Sequence, residues 1–442
     1  TGGEIIIDGN TNQKILSSAT LYNITVKEGS TLTVYSNPIN AYNITIEEDA
    51  SFISNGYDLT IRHGIYNANT DASIGVNSGG LQVGSTTQTT YLSSSGLEIG
   101  GVSGNITNFA NVVISGSLNL ADENSDIAVN KNLTLTSGIA NDNGSTIHLL
   151  GNLENYGTFT SSKTTGGISF DGTDEEQYII GIGTGVLGSV IVNNTHNVYL
   201  SCNTTIENTL TLNSIFYTDV NLLTLSKNAT ITASTFDDSH MILLNGAQED
   251  NGVKKIFASG ASDFTFPIGI TANYTPARYV FTTNNIDGAS ITVKPINYLN
   301  KDISIEPTCY LDYFWNVKTD GFDENNDSDA DENPNFSVTQ IYTYTDGKFV
   351  TTDAGTYTES SMLPEYLRTV ADYQWLDVTS TSALDVDANT ITFNPMGHIE
   401  GEYTAGAVID AIYTALPILY SNGNGNWSDR TRSEERRVGK EV

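Results

Sequence analysis

The chain has 442 residues, with 51 acidic against 19 basic side chains and a formal charge of −32. That balance excludes nucleic acid as a natural partner, since phosphate recognition needs basic stripes, and no apolar run approaches the ~18 residues of a membrane span. With 38% hydrophobic residues, 23 Tyr and 15 Phe, the chain can build a core, and its wealth of Asn, Thr, Ser, Gly and β-branched residues is a strand-and-turn composition.

The first half repeats. Leu21-Tyr22-Asn23-Ile24-Thr25-Val26 returns 20 residues later as Ala41-Tyr42-Asn43-Ile44-Thr45-Ile46, and Leu32 returns as Phe52 at the same offset. Looser copies follow at Leu59-Thr60-Ile61, Leu118-Asn119-Leu120, Leu133-Thr134-Leu135, Leu210-Thr211-Leu212 and Leu223-Thr224-Leu225. Each alternates apolar and polar residues, as a strand with one buried face does. Short Asn/Gly/Asp clusters between them supply turns. One such strand pair cannot bury its apolar face alone, whereas stacked coils make a continuous core. The repeat predicts a right-handed parallel β-helix over residues 1–254. Asn beside the buried aliphatic (Asn23, Asn43, Asn132) predicts side-chain amides that bond from coil to coil.

After Ala247 the strands become longer and aromatic, as in Phe264-Thr265-Phe266, Tyr279-Val280-Phe281, Phe314-Trp315-Asn316-Val317 and Ile341-Tyr342-Thr343-Tyr344. With turn signals such as Asp287-Gly288 between them, they predict an antiparallel β-sandwich over 255–415, with one helical turn at most in 360–370. Residues 416–429 read as a linker and the start of a further module. Residues 430–442 resemble the translation of a sequencing adapter and hold four of the seven Arg, so the natural chain is expected to continue past Asp429. Without those 13 residues, 14 basic groups face 48 acidic ones. The two cysteines, Cys202 and Cys309, have no spacing that argues for a bridge and read as small apolar groups.

Several strings resemble the large secreted or cell-surface proteins of Bacteroidetes-type bacteria exported by the type IX system. In the solenoid these are Ile168-Ser169-Phe170-Asp171-Gly172, Gln177-Tyr178-Ile179-Ile180-Gly181 and Val190-Ile191-Val192. Further on they are Phe264-Thr265-Phe266-Pro267-Ile268-Gly269, Phe314-Trp315-Asn316-Val317, Gly401-Glu402-Tyr403-Thr404-Ala405-Gly406 and the terminal Asn424-Gly425-Asn426-Trp427. The resemblance implies an adhesin-like or structural extracellular protein, and it brings no catalytic residues with it.

Residue patterns that carry chemistry are sparse. Gly183 to Gly188 fit GxGxxG, but a dinucleotide site needs a helix next and Ser189-Val190-Ile191-Val192 reads as a strand, so a glycine-rich turn is expected. Asn69-Thr70-Asp71 and Asp237-Asp238 resemble elements of polygalacturonases. An inverting hydrolase needs its carboxyls about 6.5–9.5 Å apart, and 166 residues of solenoid separate these two. The five His are scattered without zinc-ligand spacing.

The densest local signal is acidic, from Asp320 to Asn335. Asp323, Asn325, Asp327, Asp329 and Asp331 alternate like the first ligands of a calcium loop. Ser328 and Pro334, however, occupy positions where an EF-hand has Gly and Glu. A solvated loop and a weak extracellular calcium site both fit. Tyr313, Trp315, Tyr342, Tyr344 and Trp375 lie in alternating strand patterns that suit a sandwich core; stacking on glycan rings is the alternative.

Together these readings predict a non-enzymatic structural or adhesive module, extracellular or at the cell surface, with a stiff solenoid. No cofactor is expected apart from calcium. The expected partners are adjoining modules of the same chain, glycans or other cell-surface proteins.

Overall fold

The computed structural model describes residues 2–406 except 17, 19, 164, 183–184, 272, 301–308, 323–334, 352–357, 369–373, 377 and 379. The 20-residue offset in the sequence is a strand register. Thr20–Val26 lies parallel to Ile39–Ile46, with Asn23 opposite Asn43, Ile24 opposite Ile44 and Val26 opposite Ile46. In a second sheet Leu32 stands opposite Phe52. Period-2 alternation sends Ile24, Val26, Ile44 and Ile46 inward, where all are fully buried; each such side chain contributes roughly 1.5–3 kcal/mol. The turn between the sheets repeats as well. Gly29 and Asp49, one offset apart, both take positive φ (68° and 56°), and the Ser30 and Ala50 N–H groups donate to the Lys27 and Glu47 carbonyls at 2.9 and 3.1 Å.

Stacking of this kind gives a parallel β-solenoid of about 11 turns. In the early coils one long strand bends across two faces, as in Leu59–Asn67. That strand pairs with two successors, Thr89–Leu92 and Leu97–Gly101, and later coils keep the break. A seven-stranded parallel sheet from Thr107–Phe109 to Thr230–Thr232 closes the third face. The expected amide ladder is present. Asn43 Nδ2 donates to Asn23 Oδ1 at 3.0 Å. Higher up, the Asn132, Asn152 and Tyr178 N–H groups donate to Asn111, Asn132 and Asn152 Oδ1 at 3.3, 3.0 and 2.9 Å. The string around Gly185 forms the strand Gly185–Leu187, and Val190–Val192 follows as another strand.

The C-terminal half is an antiparallel β-sandwich. One sheet runs in the order Ser262–Phe266, Ala277–Asn284, Phe336–Thr343, Thr390–Met396, Ser382–Asp385. The facing sheet includes Ser290–Ile296, Phe314–Asp320, Gly401–Gly406 and Leu363–Arg368. Between them the Tyr342 ring lies 5.0 Å from Trp315 and 4.8 Å from Tyr403, centroid to centroid. The only helical pieces among the described residues are two 3-10 turns, Asp346–Lys348 and Glu359–Ser361. None is long or apolar enough to cross a membrane. No disulfide joins Cys202, which is half-buried, and Cys309, which is buried.

The two architectures share one sheet. Val253–Ile256 pairs parallel with Leu223–Leu225 of the last complete coil and antiparallel with Ser290–Ile296 of the sandwich. The division expected at 254/255 falls inside this strand. Lys255 points from it into the interior, and its Nζ donates to the Ser226, Lys227 and Ala229 carbonyls at 2.7, 2.9 and 2.8 Å. Burial pushes its pKa down to about 8, and the three carbonyl dipoles favour the ammonium form, so the group is charged at neutral pH. It caps carbonyls of the final coil that no further coil meets. Lys255→Met should therefore lower the unfolding free energy by about 3 kcal/mol, because the Ser226, Lys227 and Ala229 carbonyls lose their ammonium donor, Ser226 keeping the Ala229 N–H at 2.9 Å. Lys227→Met, which removes only the exposed ion pair with Asp287, should cost far less, because solvent screens the pair. Urea unfolding of the two variants side by side checks this.

Candidate functional site

The outer face of the early coils carries a groove of about 350 Å3. Two columns of outward side chains build it. The first runs Glu4, Asn23, Asn43, Gly64, Glu98, and the second Ile6, Thr25, Thr45, Tyr66, Gly100, each residue opposite the next in register. Their inward neighbours Ile24, Ile44, Ile65 and Ile99 anchor four of the five strands in the core, while Ile5 of the first strand is 38% exposed. Gly64 is required by close approach, since a Cβ there would meet the Glu98 carbonyl oxygen at 2.8 Å. Gly100 makes room for an aromatic ring: a Cβ would lie 3.1 Å from Tyr66 Cδ2. The Tyr66 ring thus rests on bare backbone while its side chain stays 46% exposed.

Polar contacts run along the columns. Thr25 Oγ1 donates to Glu4 Oε1 at 2.6 Å, and His63 Nδ1 lies 3.0 Å from Asn43 Oδ1, which continues the amide ladder to Asn23. Beside them Tyr22, Tyr42 and His63 stack with centroids 4.6 and 5.0 Å apart. Glu4, Glu98 and Asp122 give the groove negative charge, and no Lys or Arg lines it among the described residues.

Two titratable groups stand out elsewhere. On the third face His148 Nδ1 lies 2.6 Å from Asp171 Oδ2, and Asp171 Oδ1 also accepts from Ser169 Oγ at 2.7 Å and Asn193 Nδ2 at 3.0 Å. The carboxylate raises the His148 pKa. Burial pushes the Asp171 carboxyl upward, but the bonds from His148, Ser169 and Asn193 outweigh it and leave the pKa lowered. Ser169 gives its proton to the carboxylate rather than to the imidazole, so this trio is not arranged to activate a serine. In the sandwich Glu365 is 1% exposed, its Oε1 has no hydrogen-bond partner among the described residues, and burial pushes its pKa up to about 7.

The aromatic platform expected in the sandwich is a core. Trp315 and Tyr342 are fully buried and Tyr344 is 2% exposed, as is their neighbour Tyr313 at 0%, so none offers a ring face to a sugar. The facing sheet covers them; Trp315 Nε1 donates to the Thr275 carbonyl at 3.0 Å and Tyr344 OH to Glu359. The Trp375 side chain lies outside the described residues, as do Asp323, Asn325, Asp327, Asp329 and Asp331 of the acidic loop, and the segments 416–429 and 430–442. Among the described residues no cluster of three or more His, Cys, Asp or Glu is arranged to hold a metal. Asp71 and Asp237 are turn caps, bonded to Ser73 and Gly79 and to Ser239 and His240 respectively. The strands Leu59–Asn67 and Phe216–Asp219 that precede them are seven pairing steps apart, about 34 Å at ~4.8 Å per step. They cannot flank one glycosidic bond.

Reading the sequence did not identify the groove residues. Between Asn67 and Leu81 a loop lengthens one coil, so that Leu59 pairs with Thr90 and Gly64 with Glu98, offsets of 31 and 34 residues. His148 and Asp171 are 23 residues apart; a coil-length search for His–Asp pairs would have found them. No family model, curated protein or solved structure matches the chain.

Two pH dependences follow with opposite causes. The raised pKa of His148 gives stability that is complete below its unfolded value of ~6.5 and lost as pH rises through the folded value. The lowered pKa of Asp171 gives stability that is lost as pH falls through its folded value. The stability difference between the protein and His148→Gln should thus be largest below ~6.5 and shrink as pH rises above it through the folded value; a difference that grows with pH would exclude the pair. Glu365 is ionised in the unfolded chain above ~4.5 but stays protonated in the fold up to about 7. It should make stability fall between those values and level off above them. Glu365→Gln should flatten that decline in chemical-denaturation curves across the same range.

Proposed function

We propose that this chain is a non-enzymatic structural or adhesive module of a secreted or cell-surface bacterial protein, with the solenoid as a stiff spacer. The observation that carries the reading is the shared strand Val253–Ile256, hydrogen-bonded to the solenoid on one edge and to the sandwich on the other. A flexible linker lets two domains reorient; a common sheet bends only by breaking backbone bonds. The interlock has a second point, where Ile268–Ile270 pairs parallel with Ile242–Leu244. About 11 turns at ~4.8 Å give a rod of roughly 50 Å, and the strong net negative charge discourages self-association.

The resemblance to type IX-exported surface proteins supports the extracellular placement, and calcium bound weakly by the acidic loop 320–335 would fit that setting. The partners in this reading are adjoining modules, glycans or other surface proteins. Rigidity is the testable core. Spin labels at Tyr35→Cys and Val386→Cys, both exposed positions at opposite ends, in a Cys202→Ser background should give one narrow distance distribution by pulsed dipolar spectroscopy. A broad or two-peaked distribution would remove the spacer role.

A further inference from the structure

We propose that the groove over the early coils binds a neutral, extended glycan, with Tyr66 as the stacking platform. The geometry selects the ligand class in three steps. Glu4 and Glu98 stand at the two ends of one column, four pairing steps apart, about 19 Å at ~4.8 Å per step. They cannot converge on one metal ion, so the groove suits a long polar ligand. No Lys or Arg among the described residues lines it while Glu4, Glu98 and Asp122 do, which repels uronates, sulfates and phosphates.

What the walls offer is amide, hydroxyl and carboxylate groups, the donors and acceptors that match sugar hydroxyls. The Tyr66 ring packs beside Gly100, its Cδ2 and Cε2 standing 3.1 and 3.7 Å from where a Cβ would be, and no aromatic ring among the described residues stacks on it, in contrast to Tyr22, Tyr42 and His63, whose faces are used against one another. A half-exposed ring with no aromatic partner among the described residues can offer an apolar plane to the C–H face of a pyranose. A basic peptide would also meet the negative charge. Four of the five strands under the groove are paired on both edges, however, and only Glu4–Ile7, at the end of the columns away from Tyr66, pairs on one side, so strand addition, the usual source of peptide affinity on a sheet, is not open beside the ring.

Calorimetry on the whole chain with hexasaccharides of glucose (β-1,4 and β-1,3), xylose and mannose, with an oligogalacturonate and with an oligolysine, tests the proposal. At least one neutral hexasaccharide should bind saturably, and the oligogalacturonate should not. Tyr66→Ala should weaken that binding at least tenfold and Tyr66→Phe should retain it. Tyr91→Ala, an equally exposed tyrosine outside the groove, should leave it unchanged. Glu98→Gln, at an exposed position, gives a second readout with a fivefold or greater loss, and far-UV dichroism verifies the fold of each variant. Silence of all neutral sugars at millimolar concentration, equal binding by Tyr66→Ala, or binding of oligolysine alone would overturn it. None of these outcomes bears on the rigidity measured by spin labels.

Discussion

Edge pairing governs this structure. A β-strand in a coil satisfies its backbone only if another strand lies on each side, and each coil here obtains its partners from the coils before and after it. Residue identity follows from that requirement. Because stacking places like positions opposite each other, Ile24 meets Ile44 and Asn23 meets Asn43, so a substitution in one coil is felt by its neighbours. The problem moves to the ends of the stack. At the C-terminal end it is resolved within one strand, where Val253–Ile256 turns the parallel stack into antiparallel pairing and Lys255 supplies donors to the last coil's turn. The sandwich is therefore also the cap of the solenoid.

That dependence explains what the sequence disclosed. Register was legible where coil length is constant: the 20-residue echo of Leu21 to Val26 in Ala41 to Ile46 is the observed pairing, and Leu32 with Phe52 likewise. Side-chain amides at Asn23, Asn43 and Asn132 could be assigned to ladders because stacking gives a repeated Asn the same neighbour at every turn. The sandwich strands were legible from alternation. Alternation alone leaves open whether an aromatic such as Tyr342 faces solvent or a second sheet. That choice depends on long-range packing, here against Trp315 and Tyr403, which no local window contains.

Several of the few basic residues link one coil to another or the solenoid to the sandwich. Lys27 bridges to Glu47 one coil on and Lys163 to Glu123 two coils back, while Lys227 reaches Asp287 across the junction. Each exposed pair contributes little by itself. Their arrangement still matters in a chain this acidic, because like charges stacked at one coil spacing repel along the whole axis. Uncharged Asn and Thr in the outward columns avoid that repulsion, which gives a physical reason for their abundance.

The groove arises where the repeat is broken. A regular stack presents the same side chain at each level, which yields flat ladders such as the Tyr22, Tyr42 and His63 stack. In Leu59–Asn67 Gly64 follows Asn43 and Tyr66 follows Thr45, and the strand beyond the longer coil sets Glu98 on Gly64 and Gly100 on Tyr66, so that Glu98 and Tyr66 fall in adjacent columns. A ladder becomes a hollow with mixed chemistry. The same lengthening that hid these residues from a periodic reading of the sequence also distinguishes their surface from the rest of the rod. In a stack whose regular coils are committed to holding one another, a surface able to recognise something else is found where that regularity gives way.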